Sequence, residues 1–435
     1  MRGLFAAALA STLLAGIGGI LEPARAQAAD GGVVALTGAR LLDGTGSPPL
    51  ETSTLLIRNG RVEAVGAPGA VSIPADAEQI DLSGKTILPG FINAHGHLNA
   101  ERPGMSVRER LAAQLRLYAD YGITTVVVLG IGEGDLEPAL RLRDEQDSGG
   151  LSRARLFVAG PSLQNLALAE DARARVNAYA DAGVDIVKIH VTGGPNDMTP
   201  AVYGALIDQA HARGLRVAAH VYYLEDAQGL VDAGVDVLAH GVRDQDLDAG
   251  MIAEMKRRNV DYVPTLTRDL ARFVYETTPE FLSDPFFERA ADAYANELAM
   301  VRDPARQAEI RASAARQADK AGLAQGRKNL ELVSDAGVVI GLGTDSGTNL
   351  GQWQGYFEHT ELEMMVEAGL SPMQALVAAT GGAARAAGLD GELGTLQPGR
   401  WADLLVLNAD PLEDIRASRQ IDSVWMAGRR LVDVP

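Results

Sequence analysis

The sequence predicts an α/β protein: a (β/α)8 TIM barrel with a small β-sandwich domain formed by both chain ends. Three observations predict it. Between about 89 and 393, eight short apolar runs alternate with amphipathic helical stretches, the pattern of a parallel barrel. Residues 29–88 and 394–435 share a different texture of short strands and tight turns. Glycines precede several of the apolar runs (Gly122, Gly183, Gly214, Gly234, Gly337), where each would cap the preceding helix. An open, doubly wound sheet is the competing arrangement, because periodicity alone cannot close a sheet.

Taken in order, residues 1–28 read as a signal peptide. Arg2 gives a short positive start, 4–21 is apolar or small, and Ala26-Gln27-Ala28 is an A-x-A cleavage site. An uncleaved anchor is the rival, since the run approaches membrane-span length. The expected mature protein starts near Ala29 and is periplasmic or secreted. The chain has 435 residues and no cysteine, so neither a disulfide framework nor a lipoprotein cysteine is available. Stability in an oxidising compartment then rests on the core, for which the chain is long enough.

In the first β segment, 33–40, 54–57 and 62–65 are strand-like, with Asn59-Gly60 as a hairpin signal. Asp81 to Lys85 lead into the apolar run 86–88. The closing segment repeats the texture at 404–407 and 423–426, then turns at Ala427-Gly428. The barrel strands are expected at 91–95, 124–129, 155–159, 185–190, 216–220, 236–240, 261–266 and 338–344. Residues 267–336 are too long for one crossover helix. They read as a helical excursion between the seventh and eighth strands, lying near the site.

The formal net charge is −18 with no Lys/Arg-rich run. Phosphate contacts need a basic face, so nucleic acid and a stable membrane partner are disfavoured, and a small-molecule substrate is favoured. Met255-Lys256-Arg257-Arg258 suits a helix C-terminus rather than an interaction patch. A homo-oligomer is compatible with all of this.

The chemistry lies at the strand ends. His95 and His97 close the first strand, Lys188 lies within the fourth, His220 ends the fifth, His240 the sixth, and Asp345 follows the eighth. In a barrel these converge on the C-terminal mouth. His95 and His97 are two apart and share a side of the strand, as do Lys188 and His190. His220 and His240 are about one βα unit apart, so they occupy equivalent points on neighbouring strands. Imidazole and carboxylate ligands suit zinc and similar cations, and catalytic sites leave a position for water. Any one of these histidines alone reads as structural. The whole set at barrel spacing reads as a metal-hydrolase site.

Pro89-Gly90-Phe91-Ile92-Asn93-Ala94-His95-Gly96-His97, His220, His240 and Gly343-Thr344-Asp345-Ser346-Gly347 resemble the strand signatures of the amidohydrolase superfamily. The likeness extends through Gly394 to Leu404 and covers essentially the whole mature chain. It is greatest to the imidazolonepropionase-related group that includes metal-dependent Xaa-Pro dipeptidases. Lys188, in Val187-Lys188-Ile189-His190, occupies the position of the bridging lysine of binuclear members. The resemblance therefore implies a carbamylated lysine between two zinc ions, held with His95, His97, His220, His240 and Asp345. The other readings of Lys188 are a substrate-carboxylate anchor and an ordinary ion-pair partner. The resemblance also implies that Asp345 moves the proton of a metal-activated water, and that His240 polarises the carbonyl or binds the second metal. Two positions depart from the group: Tyr222 stands where a histidine is usual, and His190 where an apolar residue is. Both are substrate candidates, with barrel packing as the alternative. His211 reads as solvated surface and His359 as structural.

The expected activity is metal-dependent hydrolysis of an amide in a dipeptide, N-acyl amino acid or cyclic amide. The alternatives are esterase or lactonase action at the same site and a non-catalytic, metal-dependent periplasmic binding protein. Asp345 weighs against the last, since a binding protein needs no proton shuttle.

Overall fold

The computed structural model describes residues 32–147 and 150–431. The expected signal peptide and cleavage site lie outside these residues. Seven parallel strands follow one another in sequence and in space: Phe91–Gly96, Ile123–Leu129, Arg155–Ala159, Ile186–His190, Arg216–His220, Val237–Ala239 and Asp261–Val263. The second strand, ITTVVVL, is buried at every position, as expected where both faces of a parallel sheet are covered. Inside the barrel, Ile92, Val127, Leu129, Ile186, Val237 and Val263 form one apolar cluster.

The eighth expected strand takes a different form. The 338–345 segment makes a single β-bridge, Ile340 to Tyr262, rather than a ladder. Its polar backbone is satisfied piecemeal. Leu342 N–H donates to Ala378 O, while His95 O accepts from Thr344 and Asp345. The segment thus joins the seventh strand to the first and nearly closes the barrel. Its glycines make the close approach possible: a Cβ on Gly343 would lie 2.5 Å from Val263 Cγ1 and 2.7 Å from His95 Cβ. The expected seventh strand, 261–266, stops at Val263 because Thr265 takes φ 53° and opens the helix Leu266–Leu270.

Local signals account for the helix ends. Ser106 and Glu109 form a capping box on Val107–Asp120. Gly183 ends Ala169–Ala182 in the left-handed conformation, as its place before a strand predicts. The excursion is helical, in short pieces followed by Ala295–Val301, Pro304–Ala312 and the 22-residue helix Ala314–Asp335.

The chain ends build two more sheets. One joins Val34–Thr37, Thr54–Arg58, Arg61–Gly66 and Glu78–Asp81. The other brings Leu404–Leu407 and Ile421–Met426 to Thr86–Pro89 and Arg40–Leu41. Leu36, Leu55, Ile87, Leu404 and Trp425 pack between them in one core.

Candidate active site

The first strand delivers His95 and His97, both buried. His97 Nδ1–H donates to Gly130 O at 3.1 Å, which turns Nε2 toward Asp345 Oδ1 at 2.8 Å. His95 Nε2 lies 3.5 Å from the same oxygen and 3.5 Å from Lys188 Nζ, while its buried Nδ1 has no partner among the described residues. Asp345 sits at φ 60° and hydrogen-bonds through its own N–H to His95 O at 2.7 Å. That turn aims the carboxylate back at the two imidazoles.

The neighbouring strands supply three more rings. His190 and His220 are in register on adjacent parallel strands, which stacks their rings 4.6 Å apart. His240 lies 4.2 Å from the His220 ring and 4.6 Å from that of His95. Its Nδ1 is 2.6 Å from Thr265 Oγ1. Burial, aided by nearby Lys188, holds the His95, His220 and His240 rings well below the usual imidazole range, and His190 at about 4. Their ring nitrogens are therefore available as lone-pair donors near neutral pH.

Lys188 is 1% exposed, with no carboxylate within ion-pair distance among the described residues. Burial brings its ammonium down to about 7, against the pull of Asp345. Burial acts in the opposite direction on Asp345, pushing its carboxyl up. The His97 hydrogen bond and the charges of His97, His95 and Arg268 outweigh this and keep it ionised.

This donor set fits a divalent cation. One ligand atom each from His95, His97 and Asp345 lies within 4.8 Å of the others. With His97 Nδ1–H committed to Gly130, Nε2 and Asp345 Oδ1 would oppose two lone pairs at 2.8 Å unless a proton or cation stands between them.

The other sequence candidates fall apart from this group to differing degrees. His190 lines the cavity at the mouth, whose volume is about 600 Å3. Tyr222 lies outside that cavity. The strand ends at His220, so the alternation that would point Tyr222 inward is lost. Its ring packs instead beneath the Arg243 guanidinium at 4.8 Å. His359 is fully buried between Tyr121 O and Ser418 Oγ. His211 is at the surface, paired with Asp236.

Two sets of residues escaped sequence reading. Glu358 and Glu361, both fully buried, lie three apart on one face of the helix Tyr356–Glu367. Glu358 Oε1 accepts from Asn93, Thr344 and Ser346, bracketing Asp345, while Glu361 accepts from the Leu266 and Thr267 N–H groups. Arg268, Arg272, Arg306 and Arg316 line the mouth from the excursion. The spacing of Arg268 and Arg272, one helical turn apart, was the available signal.

A parallel barrel whose strand ends converge on uncharged imidazoles and one carboxylate defines a hydrolase. The chain belongs to the amidohydrolase family, whose model matches residues 86–431. It is a hydrolase acting on C–N bonds. An uncharacterized protein of Mycobacterium tuberculosis is 28% identical over 406 residues, covering 89% of this chain and 94% of its own. The imidazolonepropionase of Paenarthrobacter aurescens is 26% identical over 416 residues, covering 88% and 94%. A Bifidobacterium longum structure, provisionally assigned as a prolidase, superposes with a TM-score of 0.75 at 29% identity, covering 92% and 95%.

Proposed function

We propose that this protein is a metal-dependent hydrolase that cleaves an amide bond in a small molecule: a dipeptide, an N-acyl amino acid or a cyclic amide. The observation that carries it is the gathering of His95, His97, His220, His240 and Asp345 around the buried amine of Lys188 at one barrel mouth. Similarity to an imidazolonepropionase and to a protein assigned as a prolidase supports an amide as the bond cut.

His95, His97 and Asp345 would hold one cation, and His220 with His240 a second; zinc suits these ligands. Such cations supply Lewis acidity toward a carbonyl oxygen and lower the pKa of water. Asp345 takes the proton of the attacking water at a carboxylate oxygen and returns it to the leaving nitrogen. His240, its ring fixed by Thr265 Oγ1, presents Nε2 to the carbonyl oxygen or to the second cation. The neutral amine of Lys188 could add carbon dioxide, forming an N–C bond with loss of one proton, and the resulting anionic carbamate would supply two further oxygen donors for cations held here. Its isolation from carboxylates supports this, because an ion-paired ammonium could not react. Residues 1–28 act as an export signal, so protein from the native host should begin near Ala29, and retained Met1 would refute this.

The test is metal analysis with a substrate screen. The zinc-loaded enzyme is expected to hydrolyse N-acyl amino acids or Xaa-Pro dipeptides, to lose that activity with a chelator and to regain it with zinc. Full turnover by metal-free protein would refute metal dependence. Turnover of lactones alone would make it an esterase.

A further inference from the structure

The cavity above the imidazoles carries a charge opposite to that of the chain. Arg268, Arg272, Arg306 and Arg316 line it, in a protein of net charge −18. Few carboxylates answer them. Asp269 is shared between Arg268 at 2.7 Å and the buried Arg243 at 2.6 Å. Asp319 is taken by Arg272 at 2.6 Å, and Asp345 belongs to the imidazoles, with Arg268 Nε at 3.8 Å. Five guanidiniums thus face three carboxylates.

The surplus falls on Arg306 and Arg316. Among the described residues neither has a carboxylate within ion-pair distance, and the buried Arg306 Nε has no hydrogen-bond partner. Burial and then the charge of Arg272 depress the Arg316 guanidinium below its ordinary range against the pull of Asp319, with Arg306 and Arg268 adding to the depression. Such crowding of like charges is unfavourable unless an anion enters. Each guanidinium is a planar fork of donors matched to an oxyanion. Ile310 and Tyr275 line the same cavity and offer apolar surface for the rest of a ligand.

We propose that Arg306 and Arg316, backed by Arg268 and Arg272, form an anion subsite that holds a substrate carboxylate remote from the bond that is cut. As a statement about substrate, this rests on the hydrolytic reading of the cavity floor. Arg268 touches that floor and the other three line the cavity with it, so the substrate spans from the imidazoles to the excursion. The preferred substrates are amides bearing a free carboxylate, and neutral amides are discriminated against.

The experiment has two arms on the full chain. The zinc-loaded enzyme is assayed on matched pairs, each an N-acyl glutamate and the corresponding N-acyl glutamine, which differ only in a side-chain carboxylate or carboxamide set apart from the scissile amide. Metal-free protein is titrated calorimetrically with glutarate. Wild type should prefer the acids. Arg306→Gln and Arg316→Gln should each weaken glutarate binding about tenfold, the scale of one charged hydrogen-bonded contact. Both should raise KM for the acids and collapse the acid-to-carboxamide ratio toward one. Arg306→Lys, which keeps the charge without the fork, should fall between. Arg302→Gln, outside the cavity, should leave the ratio and the glutarate affinity at wild-type values. Glutarate binding that survives both glutamine substitutions, or equal turnover of acids and carboxamides, overturns the subsite. If no amide is cut while glutarate binding still depends on Arg306 and Arg316, the hydrolytic reading fails and the anion subsite stands.

Discussion

His240, Thr265 and Asp345 take φ of 149°, 53° and 60°, values that residues with a Cβ rarely adopt. Strain of this kind, about 1–3 kcal/mol per residue, persists only where surrounding contacts overdetermine it, and it gathers at functional sites. Here it aims Asp345 back at His95 and brings Thr265 Oγ1 onto His240. Two outcomes follow at this scale. Thr265→Val keeps the shape and removes the hydroxyl, so zinc affinity or kcat/KM should fall about 10–100-fold, with Thr265→Ser restoring most of it. Retention of both zinc and rate by the valine variant would mean that packing alone orients His240. Asp345→Asn cannot accept a proton, so turnover should vanish even in samples that retain zinc. A near wild-type rate would assign the base elsewhere. If Lys188 carries the proposed carbamate, Lys188→Arg should be as damaged as Lys188→Ala, since a guanidinium cannot form one, and short carboxylates should partly rescue only the alanine variant; an arginine variant with near wild-type rate and metal content would overturn the carbamate.

One element organises the mouth from behind. The helix Tyr356–Glu367 turns Glu358 toward the Asn93 amide and the Thr344 and Ser346 hydroxyls, and Glu361 toward the start of Leu266–Leu270. The former loop carries Asp345, the latter follows Thr265 and carries Arg268. Glu358 Oε1 takes all three bonds from Asn93, Thr344 and Ser346, while Oε2 has no partner among the described residues. Glu358→Gln can therefore keep its oxygen in place. Glu358→Leu leaves buried donors without an acceptor, at about 1–3 kcal/mol for each that finds no other. Urea denaturation should show the leucine variant several kcal/mol less stable and the glutamine variant close to wild type. Equal losses would mean that charge rather than acceptance matters there.

At the scale of the molecule, function and stability occupy opposite ends of the barrel. Arg155, at the start of the third strand, is buried against Asp403 of the closing segment. Asp403 also accepts from Ala427 N–H, and the Arg155 guanidinium lies 4.3 Å above the Trp401 ring. This buried pair ties the barrel to the sheets of the chain ends. Asp403→Ala leaves the buried guanidinium with only the exposed Asp147 carboxylate, 2.9 Å away, as its ion-pair partner among the described residues, and should cost up to about 3–5 kcal/mol, whereas Arg155→Met with Asp403→Leu should recover much of that. Thermal denaturation of the two variants decides it, and equal losses would show that the carboxylate's other bond to Ala427 dominates.

What the sequence determined by itself was whatever local pattern controls. Apolar runs bounded by glycine placed seven of the eight strands to within a residue or two at most ends, because strands buried on both faces must be apolar throughout. Residue spacing also brought His95, His97, Lys188, His220, His240 and Asp345 to one end, since strand ends in a parallel barrel converge. Tertiary structure alone decided the rest. The eighth segment lacks a ladder because its hydrogen bonds go to His95 and Ala378, which are distant in sequence. Tyr222 left the cavity because its strand stopped at His220, and alternation has no meaning beyond a strand. Arg306 and Arg316 reached the mouth because the excursion folds back over it. Charges that meet only after long loops close carry no periodicity in the sequence, so only the folded chain reveals which of them lack a partner.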